Sequence, residues 1–551
     1  MKNNFFKKAA TWIISILIIA LSYWFMLPPI NLRSGDFWAF IVWSIVICVV
    51  VNSIPQIMGF LKHGTRGKFR IEGSSGGILS MLGKPVKIAF FTILAIITLS
   101  ILSSIVGSQL FNANAYKDLL TITDGDFTKD VAEISMEQIP IVDRDTASRL
   151  GQRKLGEMSD LVSQFEIQDL YTQINYKGKP VRVTPLMYGD IIKWFNNQSD
   201  GIPAYIMVDM TTQETTLVRL DKGIKYSEGE YFMRDLKRAL RFSYPTKIFG
   251  DISFEIDDEG VPYWVASTVS YEIGFWSGQD INGAVLFNAV TGESKYYDLK
   301  DIPKWVDQVF ESDLIIEQLT YNGKYQSGFW NSVFGQRGVL QPTDGYNYLA
   351  IDDDVYLYTG MTSVTSDESN VGFVLTNLRT KETKFYSIPG AEEYSAMSSA
   401  EGQVQHLNYT ATFPLLLNVS NRPTYFMSLK DAAGLVKMYA FVDVNQYQIV
   451  GTGNTVEAAR NDYILKLRNE STNTELKPET VEGIIENINS AVIEGNTTYY
   501  IKLENNENIY TAKITMSDKL PFTQKGESVK FTLNGTTVTK IEYIENQPSA
   551  E

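Results

Sequence analysis

Three apolar stretches fill the first fifth of the chain, Ala9–Leu27, Phe37–Met58 and Ile88–Val106, and none contains Asp, Glu, Lys, Arg or His. A helix of about 20 such residues matches the roughly 30 Å hydrocarbon core of a bilayer. The flanks predict the orientation. Lys2, Lys7 and Lys8 precede the first stretch, and Lys62, Arg66, Lys68, Arg70, Lys84 and Lys87 crowd the second loop. The first loop sets only Arg33 against Asp36. Basic loops stay in the cytoplasm, so residues 1–107 are expected to form a three-helix, multi-pass anchor of the cell membrane. Its N-terminus and its basic loop, 61–87, are expected inside, and residues 108–551 outside.

The first stretch resembles a signal peptide in its lysines, but Phe25, Met26, Leu27, Pro28 and Pro29 stand where a small-residue cleavage site belongs. A retained anchor is therefore expected, with Trp24 and Trp38 near the outer interface. Without an intramembrane ionisable group these spans offer no ion or proton relay, so a transporter is not expected.

Charge divides with topology. Of 49 Lys and Arg and 63 Asp and Glu, the first 107 residues hold 10 and 2, leaving 39 against 61 outside and a balance of −22. Such a surface repels polyanions, so no nucleic-acid partner is expected. The basic loop is suited to anionic lipid headgroups. The single cysteine, Cys48, lies in the second span. Disulfides within the outer part are thereby excluded, which fits a bacterial surface without an obligatory oxidising pathway, as in many Gram-positive organisms.

Beyond Gly107 the pattern predicts a stalk over 108–135 with a short helix, then a polar helix from Asp145 to about Phe165. A hairpin follows from Leu170 to Val183, turning at Lys177 and Gly178, and then a helix near Tyr188 to Asn196. From there the chain repeats itself: IMVDMTTQETTLV (206–218), VLFNAVTGESKYY (285–297) and VLTNLRTKETKFY (374–386). Asp209, Asn288 and Asn377 share one position, Thr212, Thr291 and Thr380 the next, and Glu214, Glu293 and Glu382 a third. A decayed fourth copy, 440–450, keeps Asp443. β-Branched and aromatic residues suit hairpin arms, and an Asp or Asn leaving the first arm accepts backbone N–H groups in the turn. A turn-forming role is preferred to a ring of ligand-binding carboxylates, because such turns need no ligand. Prolines at Pro203, Pro262 and Pro423 begin strands, where they cost no ladder hydrogen bond. Helices are expected at Gly229 to Phe242, Ile302 to Val309, Ala391 to His406 and Thr455 to Arg468, the last with Asn454 and Glu457 as a capping box.

The pieces EIDDEGVPYWVAS with GAVLFNAVTGESKYY, and RPTYFMSLKD with YAFVDVNQYQIV, resemble PepSY-type modules of bacterial (Gram-positive) envelope proteins. In that family such hairpins, with a D-x-x-T-G turn, pack on a helix. Only Gly292 supplies the glycine of that turn here. The resemblance covers about a third of the outer chain and implies an extracytoplasmic binding or inhibitory module. The expected fold class is an α-helical transmembrane region followed by an α+β extracytoplasmic region. The latter would comprise repeated hairpin and helix modules with antiparallel sheets over 136–320 and 321–476. Five short strands from Val481 to Ile544 then suggest a small OB-like or SH3-like β-barrel over 477–551. With 11 acids to 6 bases from Glu479 onward, it lacks the positive groove that nucleic acid requires.

Catalytic chemistry is hard to assemble. Only His63 and His406 occur, and His63 is on the cytoplasmic side, so a His and Cys metal site outside is excluded. Gly73–Gly77 matches G-x-S-x-G, but without the strand and helix that a nucleophile elbow needs. The clusters Asp124/Asp126, Asp257/Asp258/Glu259 and Asp352/Asp353/Asp354 suit solvated turns, since successive strand side chains alternate faces. No catalytic, cofactor-binding or metal-binding residue is expected, and no cofactor. The aromatic segment Tyr321 to Tyr346 is expected to pin into a core, with glycan or partner binding as its alternative. The leading functional expectation is a non-enzymatic, membrane-anchored envelope protein that contacts membrane lipid and binds an envelope protein or cell-wall polymer as scaffold, inhibitor or regulator. A cell-wall hydrolase using paired carboxylates and a transmembrane signalling regulator are the alternatives.

Overall fold

In the computed structural model, three helices, α1 (Lys2–Met26), α2 (Gly35–His63) and α3 (Lys84–Val106), are long and apolar enough to cross a membrane. The structure describes residues 2–63, 84–133, 139–364, 369–473, 479–493, 496–506, 508–534 and 536–544. Most of the basic loop, with Gly73–Gly77, lies outside them. The chain divides into two compact units, residues 1–448 and 449–551.

In the first unit, four mostly antiparallel sheets follow the helices. The first is built on the hairpin Thr172–Tyr176 and Lys179–Tyr188, with Ile202–Asp209 and Thr215–Ile224 continuing outward. Lys177 and Gly178 both have positive φ, 54° and 76°, in the two-residue turn expected there. The second sheet is a meander of Phe249–Ile256, Pro262–Ile273, Ser277–Asn288 and Ser294–Asp298. One of its faces, with Phe254, Trp264 and Phe287, shares a core with the first sheet. Its other face, with Val265, Leu286 and Ile281, packs with the helix Ser312–Lys324 and with Val355, Leu357 and Val374 of the third sheet. Burial on both faces explains why VPYWVASTV and GAVLFNAV lack polar alternation.

The repeated motif is one turn built four times, once in each sheet. Asp209 Oδ1 accepts from the amides of Thr211 and Thr212 at 2.8 and 3.0 Å. Asn288 does the same for Val290 and Thr291, Asn377 for Arg379 and Thr380, and Asp443 for Asn445 and Gln446. The threonine hydroxyls of the first three then accept from the amides of Glu214, Glu293 and Glu382. Each of these turns closes through a left-handed residue, Gln213, Gly292 or Lys381, with φ of 64°, 80° and 66°. The turn-forming reading of the repeat therefore stands.

Several local expectations are corrected. The polar helix is shorter, Arg144–Gly156, and is capped by Asp143, whose side chain accepts from Thr146 N. Residues 302–309 form no helix. Pro303 sits there, the amides of Asp307 and Gln308 are taken by the Glu255 carboxylate, and those of Val309 and Phe310 by the Leu378 carbonyl. The helix lies further on, at Ser312–Lys324, and its last turn takes in the start of the aromatic segment expected from Tyr321 to Tyr346. Of residues 108–135, suggested as a stalk, the described part, 108–133, is built into the body. Ile122–Asp124 pairs in parallel with Thr383–Tyr386, and Tyr116, Leu120, Phe127 and Val131 are buried.

In the second unit the helix Val456–Asn473 packs on the strand Val450–Gly453, so closely that a Cβ on Gly451 would lie 2.3 Å from Tyr463 N. Its cap is Thr455, whose hydroxyl accepts from Ala458 N at 3.1 Å, and not Asn454. Five strands, Glu479–Ile493, Asn496–Leu503, Ile509–Lys513, Ser528–Asn534 and Thr537–Ile544, then close a barrel as the turn pattern predicted. Ile485, Ile501, Tyr510 and Phe531 fill its interior.

Candidate functional site

Where the first hairpin meets the second and third sheets, a cleft of about 410 Å³ opens. Its walls come from Tyr171–Gln173 and Arg182, from Asp251–Ser253, from the linker 308–313, and from Tyr346 and Tyr348. A second cavity of about 200 Å³ shares the wall of Tyr346 and Tyr348.

Strand register puts Arg182 across from Gln173. Its guanidinium donates from Nη1 to the Tyr171 carbonyl at 3.2 Å and from Nη2 to Gln173 Oε1 at 3.1 Å. Nε has no partner, although the residue is only 6 % exposed. Among the described residues no carboxylate stands within ion-pair distance of it. Burial pulls the guanidinium down to about 10, which still leaves it cationic at neutral pH. Asp143 and Asp145 favour the charged form from a distance, without an ion pair, so the burial of this cation is only partly offset.

The cleft also carries carboxylates. Glu311 lies over Gly250 and accepts from the amide of Asp251; burial pushes its carboxyl above the ordinary range. Asp251 and Asp313 line the same opening. The Ser312 and Tyr348 hydroxyls are 2.7 Å apart, and the ring of Tyr346 meets that of Tyr348 edge-on at 5.7 Å. The wall thus combines a buried cation, carboxylates and two tyrosines.

Behind the cleft two carboxylates are wholly buried. Glu255 accepts from the Asp307 and Gln308 amides at 2.8 and 3.0 Å and from Ser253 Oγ at 2.8 Å. Asp307 Oδ2 accepts from Asn175 N at 2.6 Å, while Oδ1 has no partner. Desolvation, then for Asp307 the neighbouring Glu255, pushes both carboxyls above their ordinary values. Glu255 and Asp307 are 0 % and 1 % exposed, so they hold the backbone of the seam and face no solvent.

The acidic clusters singled out in the sequence do not converge. Asp257 Oδ1 caps the amides of Glu259 and Val261. Asp354 forms a bidentate pair with Arg379, both bonds at 2.7 Å. Asp126 bonds Thr128 and Lys129. His406 is exposed in a short 3-10 turn. Among the described residues no group of three His, Cys, Asp or Glu is placed to hold a metal. Sequence reasoning missed Arg182, whose one signal was an arginine inside the strand KPVRVTPLMY.

No protein-family model matches the chain, and a search of characterised proteins by sequence returns no match either. Among solved structures it is similar to a levansucrase variant of B. megaterium, with 10% identity and a TM-score of 0.17 over 75% of this chain and 98% of that one. It is also similar to a dihydro-heme d1 dehydrogenase, with 8% identity and a TM-score of 0.15 over 68% and 66%. At such scores neither likeness carries an argument.

Proposed function

We propose that this is a non-enzymatic, multi-pass envelope protein whose region beyond residue 107 faces outward and holds an envelope protein or cell-wall polymer in the Arg182 cleft. The observation that carries the reading is the buried guanidinium of Arg182, which forms no ion pair, on the wall of an open cleft. The Nη protons not used by Tyr171 O and Gln173 Oε1 suit a carboxylate or phosphate group of the partner. The two tyrosines add contact area at low entropy cost. The fourfold turn and its sheets are in keeping with the PepSY-type resemblance, and the closed barrel with an OB-like or SH3-like contact module. Glu255 and Asp307 accept from backbone amides and face no solvent, so neither is open to a bound sugar, which favours binding over hydrolysis by that pair.

Photo-crosslinking of the full chain in its own envelope, from a probe at Tyr346, tests the reading. Adducts present in the wild type and lost in Arg182→Met are expected; the same adducts in both would overturn it. Reporter fusions after Lys68 and after Lys129 are expected to report opposite sides of the membrane. The same side for both would overturn the topology.

A further inference from the structure

The outer body sits directly on the ends of α1, α2 and α3. Arg241 donates to the Leu27 carbonyl at 2.9 Å, Ile30 N to Pro245 O at 2.7 Å, and Arg33 to Tyr271 O at 2.7 Å. The hairpin tip of the second sheet reaches the spans themselves. Phe275 and Trp276 line an apolar cavity of about 320 Å³ together with Trp38 of α2 and Ile96 and Leu99 of α3.

Two apolar surfaces flank this junction. On the α1 side, Phe242 packs against Tyr23 and Trp24 at 6.1 and 6.0 Å, and Arg238 lies 4.4 Å over the Trp24 ring. The same segment carries Phe232, whose ring meets Trp194 at 5.8 Å in the helix Ile191–Asn197, where Ile192 and Phe195 point outward. On the α3 side the chain passes through Gly107 into the helix Gln109–Lys117, which carries Phe111. Packed on that helix through Phe329, the turn at 328–335 presents Trp330 and Phe334, stacked at 5.8 Å. These six side chains, Ile192, Phe195, Phe232, Phe111, Trp330 and Phe334, are each 62% to 78% exposed.

We propose that both surfaces are a bilayer seat: they rest in the outer-leaflet interface of the membrane that α1–α3 cross. The inference rests on the reading of those helices as spans. Its own support is continuity: Phe242 and Arg238 tie the first surface to Tyr23 and Trp24 at the end of α1, and Gly107 leads from α3 directly into the helix that carries Phe111. Aromatic side chains favour that interface, and exposed apolar area of this extent marks an interaction surface. A protein partner there would have to displace lipid from ground next to the spans. The aromatic turn at 328–335 is thereby assigned to lipid and not to a glycan.

Because Cys48 is the only cysteine, Cys48→Ala variants carrying Phe195→Cys or Phe334→Cys accept one fluorophore each. The purified full chain is placed in vesicles of phosphatidylcholine and phosphatidylglycerol, with acyl chains brominated near the headgroup or not. Lys177→Cys serves as the aqueous reference. Its neighbour Tyr176 lies beside Gly260, at the far end of the twelve-residue strand Pro262–Ile273 from Phe275, roughly 40 Å away. Both seat labels are expected to lose most of their emission to brominated lipid and little to iodide, with the reverse at residue 177. Quenching by iodide at both seat positions, in protein that resists carbonate extraction, would overturn the seat while leaving the spans intact. Shielding from both quenchers would also overturn it, in favour of a second copy on that face. Loss of the chain on carbonate extraction would instead overturn the spans.

Discussion

The Glu255 carboxylate accepts the backbone amide of Asp307 at 2.8 Å, and the two buried acids it brings together join the second sheet to the linker behind the cleft. Both carboxyls are raised, by burial first. An acid raised in the folded state contributes stability that is complete below its unfolded value, near 4.5 for Glu255 and 3.8 for Asp307, and that is lost as pH rises through the raised value. The thermal midpoint of the full chain is therefore expected to fall as pH climbs from about 4 through neutrality.

The same pair separates two substitutions. Asp307→Asn keeps the acceptor for Asn175 N and places its amide where Oδ1 now has no partner. It is expected to flatten the pH dependence and to raise stability at pH 8 by about 1–3 kcal/mol. In Glu255→Gln an amide donor would face a donor, since both oxygens of Glu255 accept. A loss of about 1–3 kcal/mol at every pH is expected. Thermal melts across pH for both variants check the sign.

Arg182→Met removes a buried charge that has no ion-pair partner while keeping most of its volume. Denaturant unfolding without a partner is expected to show unchanged or greater stability, by up to about 3 kcal/mol, while partner crosslinks disappear. Arg182→Lys keeps charge but loses the planar fork, so weakened crosslinking is expected from it. A residue serving stability alone would give the opposite pattern.

The repeated turn permits a matched pair of tests. Asn288→Ala strands the amides of Val290 and Thr291 and is expected to cost about 1–2 kcal/mol. Gln213→Gly, at a φ of 64°, relieves a left-handed residue and is expected to gain about 1 kcal/mol. Equilibrium unfolding of each single variant and of the double variant should give additive values.

In the barrel, Phe531 is fully buried with its ring 5.6 Å from that of Tyr510. Phe531→Ala is expected to destabilise that unit by about 3–5 kcal/mol. Hydrogen exchange should then show the loss of protection in the strands 479–544.

Much of the architecture was legible where its cause is local. The fourfold turn could be found from residues at most five apart, because Asp209 or Asn288 bonds amides two and three positions on. The barrel strands were legible from their turn spacing. The helix Ser312–Lys324 was hidden by Asn322 and Gly323, which look like breakers. Tertiary contacts use them instead: Asn322 Nδ2 donates to the carbonyls of Lys117 and Leu120, and a Cβ on Gly323 would stand 2.5 Å from Leu340 O. Trp330 and Phe334 were visible as aromatics, but whether such rings enter a core or leave it depends on neighbours more than two hundred residues away.

What the amino-acid order alone determined is the set of features whose energetics act within a few residues or along one helix: three helices with charge-free apolar stretches, the repeated turn, and the five barrel strands. The tertiary structure decided the cleft, the seam and the apolar seat. The reason lies in desolvation. A charge on Arg182, Glu255 or Asp307 changes meaning only when distant strands close over it and remove water, and no local pattern records which strands those are.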